Sequence, residues 1–171
     1  LLSGRIVAIK ALGGFQLACA ATNADAVTRL RAAKRRDAKP FALMARDLEV
    51  VRRYATLTDA EAGALSSPAS PIVLLHARRA GDRNASGSMQ SEAGATSGTL
   101  PPLPRPLSHD LAPGLASLGF MLPSTPLHHL LLHDIDRPLV MTSGNLSDEP
   151  QCVGNDEALA RCRELQRPFI E

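Results

Sequence analysis

The sequence predicts an α/β layered domain, and three observations carry that expectation. Short apolar runs with strand character alternate with helical patterns along the whole chain instead of segregating into blocks. No internal repeat divides the sequence, and 171 residues with 44% hydrophobic content can bury one core. With no Trp, one Tyr and four Phe, that core must be mainly aliphatic.

Taken in order, Arg5 to Lys10 contains Ile-Val-Ala-Ile, an unbroken apolar run expected of a strand buried on both faces. Gly13-Gly14 ends it, and Phe15 to Ala20 reads as a second strand. Thr22 or Asn23 can cap the helix that follows, in which Val27, Leu30 and Ala33/Lys34 recur at helical spacing. Phe41 to Met44 is a strand. Asp47 caps a helix with a Leu48, Val51, Ala55 stripe and Arg52 and Arg53 outward. Thr58-Asp-Ala-Glu61 matches a capping box for a short helix ending before Ser66-Ser67-Pro68, and Ile72 to Leu75 is the next strand.

From Arg78 to Pro106 the pattern is lost to Gly, Ser, Ala, Thr and Pro, which predicts a long mobile insertion within one domain. Strand character resumes at Leu118 to Leu122. Thr125-Pro126 then supplies a cap and a first-turn proline for a helix through His133. Leu139 to Ser143 is the last strand, and Asn155 caps a final helix with Ala158, Cys162 and Leu165 on one face.

The stretch from Leu30 to Met44 organises the rest. It runs from a helix end through the cationic turn Lys34-Arg35-Arg36-Asp37-Ala38-Lys39-Pro40 into a strand. Lys34, Arg36 and Lys39 thus stand at a helix C-terminus, where the macrodipole favours cations, so a solvated helix end is the plain reading. The formal net charge is only +2, which gives no global basic field for nucleic acid. Yet Arg29 to Arg53 holds nine Lys/Arg against three acids, a local excess suited to phosphates. Gly13-Gly14 is a turn that also allows close backbone approach to an anion.

Three cysteines (Cys19, Cys152 and Cys162) form no close pair, so neither a disulfide framework nor a Cys-based zinc site is predicted, and a reducing cytoplasm is expected. No apolar run is long enough for a membrane span, and the start lacks a signal-peptide layout. The absence of an initiator Met predicts a piece of a longer chain. His129 and His133 are four apart on one helix, but a zincin Glu and a third ligand are missing, so no metal ligand is assigned. Ser143-Gly144-Asn145 lacks the leading glycine of a nucleophile elbow, since Met141 stands there. It reads as ligand-binding polar groups at a strand's C-terminal end. Asp148 and Glu149 have no partner carboxylates at a legible spacing.

These motifs resemble a known family. Lys34-Arg-Arg36 with Lys39-Pro40 is similar to the KxR…KP element of YrdC/TsaC-type domains, and Ser143-Gly-Asn145 to their SxN element. The segments LGGFQLACAATN, KRRDAKPFALM, LGFMLPSTPLHHLLL and PLVMTSGNLSDEP stand in the order found in YrdC-like domains of HypF-type carbamoyltransferases, which mature [NiFe]-hydrogenases. The resemblance covers about Gly4 to Phe169 outside the insertion. It implies an open, twisted mixed sheet with surrounding helices and a large concave cavity. It also implies adenylation, in which Mg²⁺ and ATP activate a carbamate derived from carbamoyl phosphate, giving carbamoyl-adenylate and pyrophosphate.

In that resemblance Lys34 and Arg36 are the catalytic cations, and Lys39, Thr125, Ser143, Gly144 and Asn145 bind nucleotide or phosphate. Gly13 and Gly14 line the carbamoyl pocket. The implied partners are the acylphosphatase, zinc-finger and Kae1-like domains of such enzymes, and HypE. The sequence departs from the family pattern at Ala11, Gln16 (where His is usual), Ala20, Asp37 and Ser124. Two alternatives stay open: threonylcarbamoyl-adenylate synthesis for tRNA modification, and a non-catalytic RNA-binding module. The near absence of aromatics for base stacking counts against the latter.

Overall fold

A computed structural model describes residues 1–36, 38–78, 105–145 and 150–166. Among them the strands are β1 (Val7–Ala11), β2 (Gly14–Ala20), β3 (Ala42–Met44), β4 (Val73–His76), β5 (Ser117–Met121) and β6 (Leu139–Ser143). The helices are α1 (Ala24–Ala33), α2 (Leu48–Tyr54), α3 (Asp59–Leu65), α4 (Pro126–Leu132) and α5 (Asn155–Gln166). A single 3₁₀ turn spans His109–Leu111. The expected insertion lies outside the described residues except at its ends, as do Asp37, Asp148 and Glu149. The side chains of Cys162 and Leu165 are likewise outside them.

The caps explain why the helices begin where they do. Asn23 accepts from the Ala26 N–H, Asp47 from that of Val50, and Thr58 forms a reciprocal capping box with Glu61. Thr125 caps α4, with Pro126 in its first turn. Two details differ from expectation. Ala55 is extended and closes α2 instead of continuing it. Asn155 is already inside α5, where its Oδ1 accepts from Lys10 Nζ at 2.6 Å.

The strands form one open sheet in the order β1-β2-β6-β3-β5-β4. β3 and β5 run parallel and every other pair is antiparallel, so the sheet is mixed, as the family resemblance implies. Alternation then assigns side chains to two faces. Leu17, Cys19, Leu43, Phe120 and Val140 meet Val27 and Leu30 of α1, Val50 and Val51 of α2, and Leu65 of α3. On the reverse face Ile9, Ala18, Ala20, Met44, Leu139 and Met141 meet Leu132 of α4 and Ile135.

The first strand is a correction. β1 lies at the sheet edge and buries only Ile9, while Ala8 and Lys10 are exposed. Its apolar run predicts a strand covered on both faces. The edge position instead leaves β1 one paired neighbour, and its outward residues face solvent.

Candidate functional site: a cationic turn fastened to a strand end

The register brings the two expected motifs together. β6 is antiparallel to β3, with Ala42 opposite Met141, so the chain entering β3 from Lys39-Pro40 meets the end of β6 at Ser143. The turn between α1 and β3 is closed by backbone bonds. The Arg35 N–H donates to Ala32 O and the Arg36 N–H to Arg31 O, a Schellman pattern with Lys34 at the cap. Glycine usually holds the left-handed position of such a cap, but here it is Arg35, at φ 49°. That reversal sends Lys34 inward and brings Arg36 back across the start of β3.

Lys34 is only 2% exposed, and its Nζ donates to the carbonyls of Ser143 and Asn145, each at 2.6 Å. Burial pushes its ammonium down to about 8, with Arg36 and Lys39 acting in the same direction and Cys152 opposing them. Its contacts make it a strut between the turn and the strand end. Arg36 is half-buried. Its guanidinium donates to Lys39 O at 3.0 Å, to the Thr142 hydroxyl at 3.3 Å and to Pro40 O. Burial, and secondarily Arg31, hold it below the usual guanidinium value. Lys39 is exposed beside it. Two cationic side chains thus reach the end of β6, Lys34 at Ser143 and Arg36 at Thr142, with Lys39 exposed nearby, an arrangement able to stabilise a polyanion.

Arg31, which the sequence reading did not single out, fixes this arrangement. Its Nη1 donates to Arg36 O at 2.6 Å and Lys39 O at 3.2 Å, while Nε donates to Asp110 O at 3.0 Å. Arg31 and Arg36 stand 4.8 Å and 4.9 Å from the Phe41 ring centroid, so their planes share one buried aromatic. Its signal in sequence is only position: one turn before Lys34 on α1, with a fork that can bind carbonyls on both sides.

The glycines divide into two roles. The Gly144 N–H donates to Phe15 O at 2.7 Å, and a Cβ on Gly144 would stand 2.9 Å from that oxygen. Gly14 has φ +131°, and a Cβ there would lie 2.6 Å from the Cys152 carbonyl oxygen. Phe15 also donates its N–H to Cys152 O and accepts from Gln151 Nε2. These two glycines therefore let the 144–145 and 151–152 backbones press against the start of β2. Gly13 meets nothing within 4 Å. The contrast is testable by denaturant unfolding: Gly14→Ala is expected to destabilise by about 2–4 kcal/mol through φ strain and overlap, whereas Gly13→Ala stays within about 0.5 kcal/mol of wild type. Equal effects at both positions would remove this distinction.

Thr125 caps α4 beyond the strand end opposite the cationic turn. It follows β5, whose last residue Met121 is level with Met44 and hence Leu139, at the far end of β6 from Ser143. Its hydroxyl oxygen accepts from the His128 N–H at 3.3 Å. Of the histidine pair, His129 is exposed and His133 closes α4, its Nδ1 2.8 Å from Asp134 Oδ1. The buried histidine is His128, which the sequence reading passed over.

The Sua5/YciO/YrdC family model, described as telomere recombination, matches residues 1–170. The chain belongs to the Sua5/YciO/YrdC family. Among curated relatives, the carbamoyltransferase HypF of Rhodobacter capsulatus is 53% identical over 170 residues, covering 99% of this chain and 19% of that protein. A solved full-length HypF in its phosphate- and nucleotide-bound form is 41% identical with a TM-score of 0.77, over 96% of this chain and 19% of that one. P. abyssi Sua5 complexed with L-threonine is 18% identical with a TM-score of 0.68, covering 92% of this chain and 40% of that one, and shares the fold. The chain thus spans about a fifth of the HypF relatives it matches. No helix among the described residues is long and apolar enough to cross a membrane.

Proposed function

We propose that this domain forms carbamoyl-adenylate from Mg²⁺–ATP and a carbamate, the middle step of a HypF-type carbamoyl transfer in [NiFe]-hydrogenase maturation. The observation that carries the reading is the fastening of the Lys34–Lys39 turn to the Ser143–Asn145 strand end, in a chain 53% identical to a HypF over 170 residues. A carbamate oxygen attacks the α-phosphorus, a new P–O bond forms, and the bond to the bridging oxygen breaks as pyrophosphate leaves. Negative charge grows on the phosphoryl oxygens and the leaving group, so pre-placed cations lower the barrier.

Arg36 and Lys39 reach the triphosphate from the more exposed side of the turn. Lys34 acts from beneath, supplying charge and holding Ser143, Gly144 and Asn145 against the nucleotide. Mg²⁺ would be held chiefly by the nucleotide, and it would supply charge neutralisation alongside Arg36 and Lys39. Gly13 and Gly14 border the carbamoyl end, and Thr125, which caps α4 beyond the opposite strand end, is given no contact with the triphosphate. In the longer chain the carbamate comes from the acylphosphatase domain acting on carbamoyl phosphate. The adenylate passes to a Kae1-like domain and on to HypE, alongside a zinc-finger region, in the cytoplasm.

Calorimetry with Mg²⁺–ATP, followed by a pyrophosphate-release assay, tests the reading. Wild type is expected to bind ATP and release pyrophosphate only with carbamate present, and Arg36→Ala to lose both. Threonine-dependent release would move the assignment to threonylcarbamoyl-adenylate synthesis. Salt-sensitive RNA binding without any ATP effect would favour the RNA module. Against that module, Phe41 is buried beneath Arg31 and Arg36 and offers no face to a base.

A further inference from the structure

One residue of β2 serves the end of β6 and the segment leading into α5 at once. The Phe15 carbonyl accepts from the Gly144 N–H at 2.7 Å and from Gln151 Nε2 at 2.9 Å, while the Phe15 N–H donates to Cys152 O at 2.8 Å. A carbonyl oxygen has two lone pairs, and here a side-chain amide takes the one that the neighbouring strand leaves over. Gln151 is half-buried, and its stem lies across the glycine before Phe15: a Cβ on Gly14 would come within 2.9 Å of Gln151 Cγ.

The Gln151 bond is redundant as a tether. The segment is already held by Cys152 O on the Phe15 N–H and by Lys10 Nζ on Asn155 Oδ1 at 2.6 Å. Lys10 is the register partner of Phe15 on β1, so both fastenings land on one strand pair. The bond is also redundant for satisfying Phe15 O, which has Gly144 as a donor without it. What two donors on one oxygen add is direction: they fix the plane of the Phe15 peptide, and with it the place of the Gly144 N–H.

Gly144 stands between the two residues whose carbonyls bind Lys34. Lys34 therefore grips Ser143 and Asn145 from the cationic turn, and Phe15 grips Gly144 from β2. Three consecutive peptides are held from two sides. Such support from behind is what keeps binding groups within the fraction of an ångström that chemistry needs.

We propose that Gln151 is a positioning residue for the Ser143–Asn145 strand end, acting through the Phe15 carbonyl on Gly144. This deepens the proposed function and rests on it. Ser143 and Asn145 meet the nucleotide, and Gln151 sets the backbone from which they do so.

Gln151→Met tests the role, since it keeps an unbranched stem over Gly14 and removes only the donor. Amide hydrogen exchange at Gly144 is expected to quicken about fivefold, the worth of one neutral hydrogen bond. The melting temperature should barely move, because Phe15 O keeps a donor. Carbamate-dependent pyrophosphate release should slow at least about tenfold, with ATP affinity falling less. Gln151→Glu has the shape of the wild-type side chain but no donor at neutral pH, so it should restore neither Gly144 protection nor rate. Restoration by Glu would show that shape alone matters and overturn the proposal. So would wild-type exchange at Gly144 in Gln151→Met, whatever its rate. An active wild type matched in rate by Gln151→Met overturns the positioning role alone. Wild type that releases no pyrophosphate with carbamate overturns the adenylation reading and the positioning role with it.

Discussion

Replacing Lys34 with Ala is expected to abolish Mg²⁺–ATP binding and to lower the stability of the domain by about 2–4 kcal/mol. Two effects combine: the Ser143 and Asn145 carbonyls lose a shared cationic donor, and the buried stem leaves a cavity. Lys34→Met separates them. It fills most of the stem's volume and also removes the buried charge, so it should unfold closer to wild type yet still lose nucleotide, because strut and charge are gone. ATP binding by Lys34→Met at wild-type strength would refute the role given to this residue.

The same ammonium gives a pH signature. Its affinity for a proton falls from 10.5 in the unfolded chain to about 8 in the folded one. Between those values the unfolded state holds the extra proton, so the Lys34 contribution to stability rises with pH across that window and is flat below it. Cys19 acts oppositely: burial raises its thiol from 9.0 to about 12, so its contribution falls as pH climbs through that range. The difference between wild type and Lys34→Met cancels the Cys19 effect. That difference should favour wild type progressively from about pH 8 to pH 10.5. A level difference would mean the ammonium is not held down by burial.

Arg31→Ala is the second large effect. The side chain binds carbonyls of Arg36 and Lys39 on one side and of Asp110 on the other, and stacks on Phe41. Its loss should cost about 2–4 kcal/mol and release the turn, with ATP affinity falling at least about tenfold. Arg31→Lys should rescue neither property well, since an ammonium lacks the rigid fork that spans both groups of carbonyls. Thermal unfolding and calorimetry read both. Full rescue by Lys would show that charge alone matters at this position.

Much of this was legible in the sequence because the relevant signals are local. Caps at Asn23, Asp47, Thr58 and Thr125 mark helix starts through side chains that reach only three residues ahead. β2 and β6 were likewise readable as strands from their apolar runs. The coverage of β1 was not, since an apolar run is the same whether the strand has one neighbour or two. The union of Lys34 with Ser143 depends on β6 entering between β2 and β3, which no local pattern encodes. His128 was hidden by its neighbours. The spacing rule picks out His129 and His133, yet the rotation of α4 turns those two to solvent and His128 inward. Arg31 was obscured for a related reason: a helical arginine reads as a solvated face until the carbonyls it serves come from elsewhere in the chain.

The strand order has a consequence for how the domain comes to exist. β6 sits between β2 and β3 although it follows both by many residues, so each of those strands keeps an open edge until β6 has been synthesised and inserted. Closing loops of that length before any pairing repays them makes insertion a slow, late event. The carbonyls that hold Lys34 belong to the end of the inserted strand, so the same event that completes the sheet fastens the cationic turn. A nascent chain therefore offers two unpaired edges and a loose cationic turn until its last central strand arrives.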